Sequence, residues 1–184
     1  MCNFISKEMR KLTLKELNRV SPAEFKAQDK TSIVLILDNV RSALNVGSAF
    51  RTADAFALER IYLCGITAQP PHREILKTAI GATDSVSWKY TKTTSEAIHE
   101  LRDSGYQIIA IEQADESISL EEFPVSKGKK YAFIYGNEVT GVEEAAMKLI
   151  DHCIEVPQYG TKHSLNISVC LGIVTWEIVR QIKF

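Results

Sequence analysis

Apolar residues change their spacing repeatedly along this chain, and each change predicts a new element. Ile33–Leu37 is an unbroken, partly β-branched apolar run, the pattern of a strand buried on both faces. Residues 45–57 switch to helical spacing, with Val46, Ala49, Phe50, Ala53 and Ala57 on one stripe. Ile61–Cys64 and Val86–Tyr90 read as further strands, and Thr93–Ser104 as a helix opening on a Thr93–Glu96 capping box. Tyr106–Ile111 and Tyr131–Tyr135 are again buried strands; a helix at Val142–Ile150, a strand at Cys153–Val156 and a last helix over 166–182 complete the series. Strands alternating with helices of this length predict an α/β domain, a mainly parallel sheet flanked by helices.

The first 31 residues stand apart. Thr13-Leu-Lys-Glu16 and Ser21-Pro-Ala-Glu24 each have the form of a helix start, and seven basic residues outnumber four acidic ones. This predicts a short basic helical arm over 1–31, followed by one domain over 32–184. The whole chain has a net charge of -1, which excludes a protein that grips nucleic acid with its entire surface and leaves room for a local basic patch.

Cys2, Cys64, Cys153 and Cys170 lack metal-ligand spacing, and no histidine cluster supplies one, so no metal is expected. Free thiols, with no apolar run behind the first charges, predict a cytoplasmic protein. The most apolar long segment, Leu165–Ile182, holds Asn166, Thr175, Glu177, Arg180 and Gln181, which predicts a buried helix and no membrane span.

In parallel sheets ligands bind beyond the carboxyl ends of the strands. Three polar, glycine-containing loops are predicted there: 38–47, 136–141 and 157–168. In the first, Asn45 stands where a helix N-cap would stand, and Arg51 falls off the apolar stripe, so both have an ordinary structural explanation beside a functional one. In the second, Thr140 and Glu143 read as a capping box, whereas Glu138 is a carboxylate between Gly136 and Gly141 with no such excuse. In the third, Ser164 or Asn166 would cap the final helix. The same stretch gathers Lys162, His163 and several hydroxyls in front of an apolar helix, a combination that suits a ligand with polar and apolar faces. Neither dinucleotide nor P-loop glycine spacing is present.

Together these loops resemble the three motifs of the SpoU (TrmH-like) branch of the SPOUT methyltransferases. Asn45 and Arg51 match the first, Gly136, Glu138 and Gly141 the second, and Pro157, Gly160, Ser164, Leu165, Asn166 and Ser168 the third. The resemblance covers about residues 32–184. It implies a C-terminal deep trefoil knot, a homodimer, and S-adenosylmethionine (AdoMet) held by Ile111, Gly136, Val156 and Leu165. It further implies methyl transfer to a ribose 2′-hydroxyl of tRNA or rRNA. Arg51 would then place a fixed positive charge beside the attacking oxygen or a phosphate, with Asn45 and Glu138 orienting it or the substrate. Ser164 and Asn166 would position substrate and hold the knotted loop. RNA would be gripped by the arm, by His72, Arg73 and Lys77 in the loop after the second strand, and by Lys162 and His163.

Two rival classes are open to inspection. A serine hydrolase would need a G-x-S-x-G elbow, which is absent, and adjacent His163 and Ser164 side chains diverge. A catalytically silent RNA-binding protein on the same fold is the stronger alternative, and methyl incorporation separates it from an enzyme.

Overall fold

The computed structural model describes residues 9–13 and 15–184. Cys2 and two charges of the arm, Lys7 and Glu8, lie outside them. Among these residues seven parallel strands form one sheet: β1 (Thr31–Asp38), β2 (Leu58–Cys64), β3 (Trp88–Thr91), β4 (Tyr106–Ile111), β5 (Ile118–Ser119), β6 (Lys130–Tyr135) and β7 (His152–Glu155). Their order across the sheet is β3-β2-β1-β6-β4-β7-β5. The predicted architecture is thus present, and every strand points its carboxyl end to the same edge.

Strand alternation divides the core into two layers. Ile33, Leu35 and Leu37 face one side, with Phe133, Tyr135, Ile109 and Ile111 from neighbouring strands. That side is covered by α2 (Ala43–Ala55), α3 (Arg73–Ala79), α4 (Ala82–Ser85) and α7 (Ile167–Lys183). Val34, Ile36, Ile108 and Ile134 face the other side, under α5 (Thr94–Asp103) and α6 (Glu144–Met147). On α2 the buried residues Val46, Ala49, Phe50 and Ala53 follow the predicted stripe, which ends before Ala57: that residue has φ 50° and starts the turn into β2.

Five expectations need correction. Of the arm's two helix starts, only the second forms a helix, α1 (Pro22–Ala27), with a complete Ser21–Glu24 capping box. Glu16 does accept from the Thr13 N–H and hydroxyl, both at 2.8 Å, yet residues 15–18 make only a turn. Nothing apolar from that turn is buried, and a single turn without packing cannot repay helix nucleation. α1 by contrast anchors itself through buried Phe25, whose ring carries the Lys30 ammonium 3.6 Å from its centroid.

The other four lie in or near the loops. Arg73 and Lys77 are not in a loop but on α3, which buries Ile75 and Ala79; His72 ends the loop before it, where its Nδ1 accepts from the Glu74 N–H and caps the helix. The N-cap of α2 is Ser42, whose hydroxyl accepts from the Asn45 N–H at 3.3 Å, so Asn45 is released from that duty. Thr140 and Glu143 form no capping box. Gly141 has φ 69°, and Glu143 gives its N–H to Asp38 at 2.7 Å. For the same reason the helix expected over Val142–Ile150 shrinks to the four residues of α6.

Candidate functional site

The chain leaves β1 toward β2 on one side, whereas β6, hydrogen-bonded to β1, is followed by β7 on the other. Such a switch point opens a crevice at the carboxyl edge, and the first and second loops meet across it. Asn137 organises the second loop. It is 8% exposed, and its backbone N–H and C=O pair with Gly141, both bonds at 2.9 Å. Its Oδ1 accepts from the Val139 N–H at 2.8 Å and the Thr140 N–H at 3.3 Å. Its Nδ2 donates to the Asn39 carbonyl at 2.8 Å, tying the loop to β1. A side chain on Gly136 would run into the Gly141 carbonyl carbon and the Val142 nitrogen, so this tight return admits only glycine. The loop thereby projects Glu138 away from the sheet.

Glu138 meets the other two motifs there. Asn45 Nδ2 donates to Glu138 Oε1 at 3.1 Å, and Asn166 Nδ2 donates to Asn45 Oδ1 at 3.3 Å. Asn166 also caps α7, its Oδ1 accepting from the Ser168 N–H at 3.0 Å and hydroxyl at 2.6 Å. Its structural and functional readings therefore hold together: the cap fixes the amide plane that reaches Asn45. Residues 45, 138 and 166, remote in sequence, form one hydrogen-bonded chain.

Beside this chain lies a cavity of about 590 Å³ at the ends of β4, β6 and β7. All four residues expected to hold a cofactor, Ile111, Gly136, Val156 and Leu165, line it, as do Glu138, Ser164 and Asn166. Its floor is apolar, from Ile111, Tyr135, Ile167 and Cys170, and its rim carries the carboxylates of Glu112, Glu138 and Glu155. Burial pushes the Cys170 thiol up to about 11, with Glu112 adding a smaller push, so it is a protonated wall group and not a nucleophile. Among the described residues no group of His, Cys, Asp and Glu is arranged to hold a metal ion.

Arg51 is not part of this wall. It lies exposed on a different face of α2, in a shallow groove shared with Lys77, Thr78, Phe56, Ile80 and Gly172. Within one chain the structure brings together Asn45, Glu138, Ser164 and Asn166 and leaves Arg51 outside.

Three residues of the site were missed in the sequence: Asn137, Glu112 and Gln113. Glu112 Oε2 accepts from the Val142 N–H at 3.1 Å, and Gln113 Nε2 donates to the His163 carbonyl at 2.8 Å. One pair at the end of β4 therefore holds the second loop and the third. A polar pair directly after a buried strand was the available signal.

With fold and site in place, comparison with known proteins is decisive for the family. The chain belongs to the SpoU rRNA Methylase family, whose model matches residues 32–176. It is 30% identical over 159 residues to a Staphylococcus saprophyticus protein named for the TrmH family of tRNA/rRNA methyltransferases, covering 86% of this chain and 63% of that one. It is 30% identical over 173 residues to the tRNA (guanosine(18)-2′-O)-methyltransferase of Aquifex aeolicus, covering 91% and 77%. Among solved structures, an AdoMet-bound rRNA methyltransferase from Sinorhizobium meliloti superposes with a TM-score of 0.78 at 26% identity, over 90% of this chain and 62% of that one. This chain is thus similar to somewhat under two thirds of the length of several such relatives.

Proposed function

We propose that this protein transfers a methyl group from AdoMet to a ribose 2′-hydroxyl of tRNA or rRNA, working as a cytoplasmic homodimer. The observation that carries the reading is the hydrogen-bonded chain Glu138–Asn45–Asn166 closing over a cavity that all four expected cofactor residues line. The cavity's apolar floor suits an adenine ring, and its carboxylate rim suits a ligand bearing cationic groups. The names of the relatives, 2′-O-methyltransferases of tRNA and of 23S rRNA, support the same chemistry. The path of residues 157–168, pinned beside the end of β4 by the Gln113–His163 bond, supports the knot that the resemblance implies.

AdoMet, held by Ile111, Gly136, Val156 and Leu165, would supply an activated methyl group on a sulfonium, whose transfer to the ribose oxygen would release S-adenosylhomocysteine and pass the hydroxyl proton to solvent. A ribose hydroxyl is a poor nucleophile, so positive charge beside the developing alkoxide lowers the barrier. Arg51 provides it. Glu138, Asn45 and Asn166 hold the ribose at the cavity mouth, and Ser164 on the same rim contacts it.

The homodimer reading rests on α7. Val169, Ile173 and Trp176 lie exposed along that helix, Trp176 at 50%, and Leu44 and Ile80 continue the apolar face around the Arg51 groove. A second copy covering this face would bury it and set Arg51 at a subunit boundary. Arg73, Lys77 and Lys162, all exposed, supply local positive charge for RNA. Among the described residues no helix is long and apolar enough to cross a membrane.

The test is incubation of the purified protein with methyl-labelled AdoMet and separate pools of unmodified tRNA and rRNA, then digestion to nucleosides. Label in a 2′-O-methylnucleoside is the expected result. RNA binding without label, despite intact AdoMet binding, would return the protein to the silent RNA-binding class.

A further inference from the structure

The end of β4 carries an acidic residue that the methyl-transfer chemistry itself does not use. Glu112 lines the cavity and stands next to Ile111. Two backbone groups fix its carboxylate: the Gln113 N–H donates to Oε1 at 3.0 Å and the Val142 N–H to Oε2 at 3.1 Å. Gly141 makes room for it, since a Cβ there would strike Oε2. A carboxylate oxygen offers two acceptor directions. One on each oxygen is taken by backbone, so one on each oxygen is left, in a side chain that cannot swing away.

The position along the sheet edge says what should meet it. Asn45 and Glu138 join across the β1–β6 boundary, whereas Glu112 follows β4, one strand further from β1. A cofactor presenting its methyl group to the Asn45–Glu138–Asn166 chain would bring its nucleoside to the part of the cavity that Ile111 and Glu112 line. An acceptor-only group at that end needs a donor, and a pair of adjacent oxygens matches a pair of adjacent hydroxyls. Nucleotide sites of the doubly wound type use a carboxylate on ribose in this way after a different strand.

Resting on the AdoMet reading, we propose that Glu112 is a specificity-determining residue that accepts hydrogen bonds from the 2′- and 3′-hydroxyls of the cofactor's own ribose. Glu112 thereby replaces the acidic residue that such sites place elsewhere, and it selects ribonucleoside over deoxyribonucleoside ligands. The same carboxylate holds Val142, so ligand and second loop order each other.

The experiment is calorimetric titration of wild-type protein and Glu112→Gln with S-adenosylhomocysteine, its 2′-deoxy and 3′-deoxy analogues, and AdoMet. Wild type should bind S-adenosylhomocysteine about tenfold or more tightly than either deoxy analogue, the size of a charge-assisted hydrogen bond. In Glu112→Gln that preference should collapse to within about twofold, whatever the loss of overall affinity. Equal weakening of all ligands, with the hydroxyl preference kept, would show that Glu112 only props the loop and would overturn the proposal. A changed ratio of AdoMet to S-adenosylhomocysteine, with the hydroxyl preference kept, would assign the carboxylate to the sulfonium and overturn it as well. The wild-type comparison needs no variant, so a folding defect in Glu112→Gln cannot shelter the idea. Failure of wild type to bind either parent ligand would instead sink the AdoMet reading itself.

Discussion

The cavity proposed for the cofactor and the Arg51 groove share α7, with Ile167 and Cys170 on the first and Gly172 on the second, yet they are finished to different degrees. The cavity is tied together within one chain: its loops by Asn137, Glu112 and Gln113, and its rim by Asn45 and Asn166. The groove has exposed cationic side chains, Arg51 and Lys77, and an apolar border that none of the described residues covers. Binding a small cofactor asks for a rigid, prepaid site. Acting on a large RNA tolerates a surface completed on assembly. The two regions should accordingly fail separately when mutated.

Arg51→Ala tests that separation with the largest expected effect. Methyl transfer should fall by about 10²–10³-fold, the cost of removing a charge aimed at a developing oxyanion, while the Kd for AdoMet stays within about twofold. A matching loss of AdoMet affinity would break the comparison, since it would place Arg51 in the cavity after all. The assembly can be probed with the same variant. If Arg51 acts across a subunit boundary, mixing inactive Arg51→Ala with inactive Asn166→Ala should restore part of the activity, because some mixed dimers carry one intact composite site. No recovery after subunit exchange would mean that Arg51 serves its own chain and not its partner.

Asp38→Asn should do the reverse. Asp38 is fully buried and accepts from Asn39 Nδ2 at 2.8 Å, the Thr94 hydroxyl at 2.5 Å and the Glu143 N–H at 2.7 Å. It joins the end of β1 to the start of α5 and to the chain leaving the second loop. An amide in its place turns one acceptor into a donor facing a donor, for roughly 2–3 kcal/mol, or about 5–10 °C in Tm for a chain of this size. AdoMet affinity should fall with stability because the second loop loses its anchor. Unchanged Tm and Kd would show that Asn137 alone suffices to hold the loop.

Residues that differ in kind from their neighbours were readable in the chain; residues that act through geometry were not. Ile33–Leu37 declares a buried strand by composition alone, and the period change at residue 45 declares a helix. Asn45, Glu138 and Asn166 could be singled out as polar groups at strand ends, but a linear pattern contains no distance. Their mutual bonding needed the β1–β6 adjacency, which brings together segments about ninety residues apart. Asn137 was overlooked because its work is done by bonds to Val139, Thr140 and Gly141 within a five-residue return, which periodicity cannot register. The Thr140–Glu143 box failed for a related reason: a local capping pattern lost to Asp38, a tertiary partner that takes the Glu143 N–H.

The smallest effect concerns the cavity floor. Tyr135 is 2% exposed and lines the cavity, and among the described residues its hydroxyl makes no well-formed hydrogen bond; the Thr175 hydroxyl on α7 lies near it and makes none either. Tyr131 on the same strand is equally buried, but its hydroxyl accepts from the Ser126 N–H at 2.8 Å. Deleting a bonded hydroxyl leaves an orphaned donor, whereas deleting an unbonded one removes a desolvation cost. Tyr131→Phe should therefore lose about 1 kcal/mol, roughly 2–4 °C in Tm, while Tyr135→Phe should be neutral or slightly more stable. Its AdoMet Kd should also be unchanged, because the floor offers the ligand an apolar surface and keeps its polar contacts on the rim. A Tyr135→Phe protein with normal Tm and weakened AdoMet binding would mean that the buried hydroxyl is held in reserve for the ligand. The cavity would then be less complete in the free chain than its loop bonds indicate, and closer in kind to the groove.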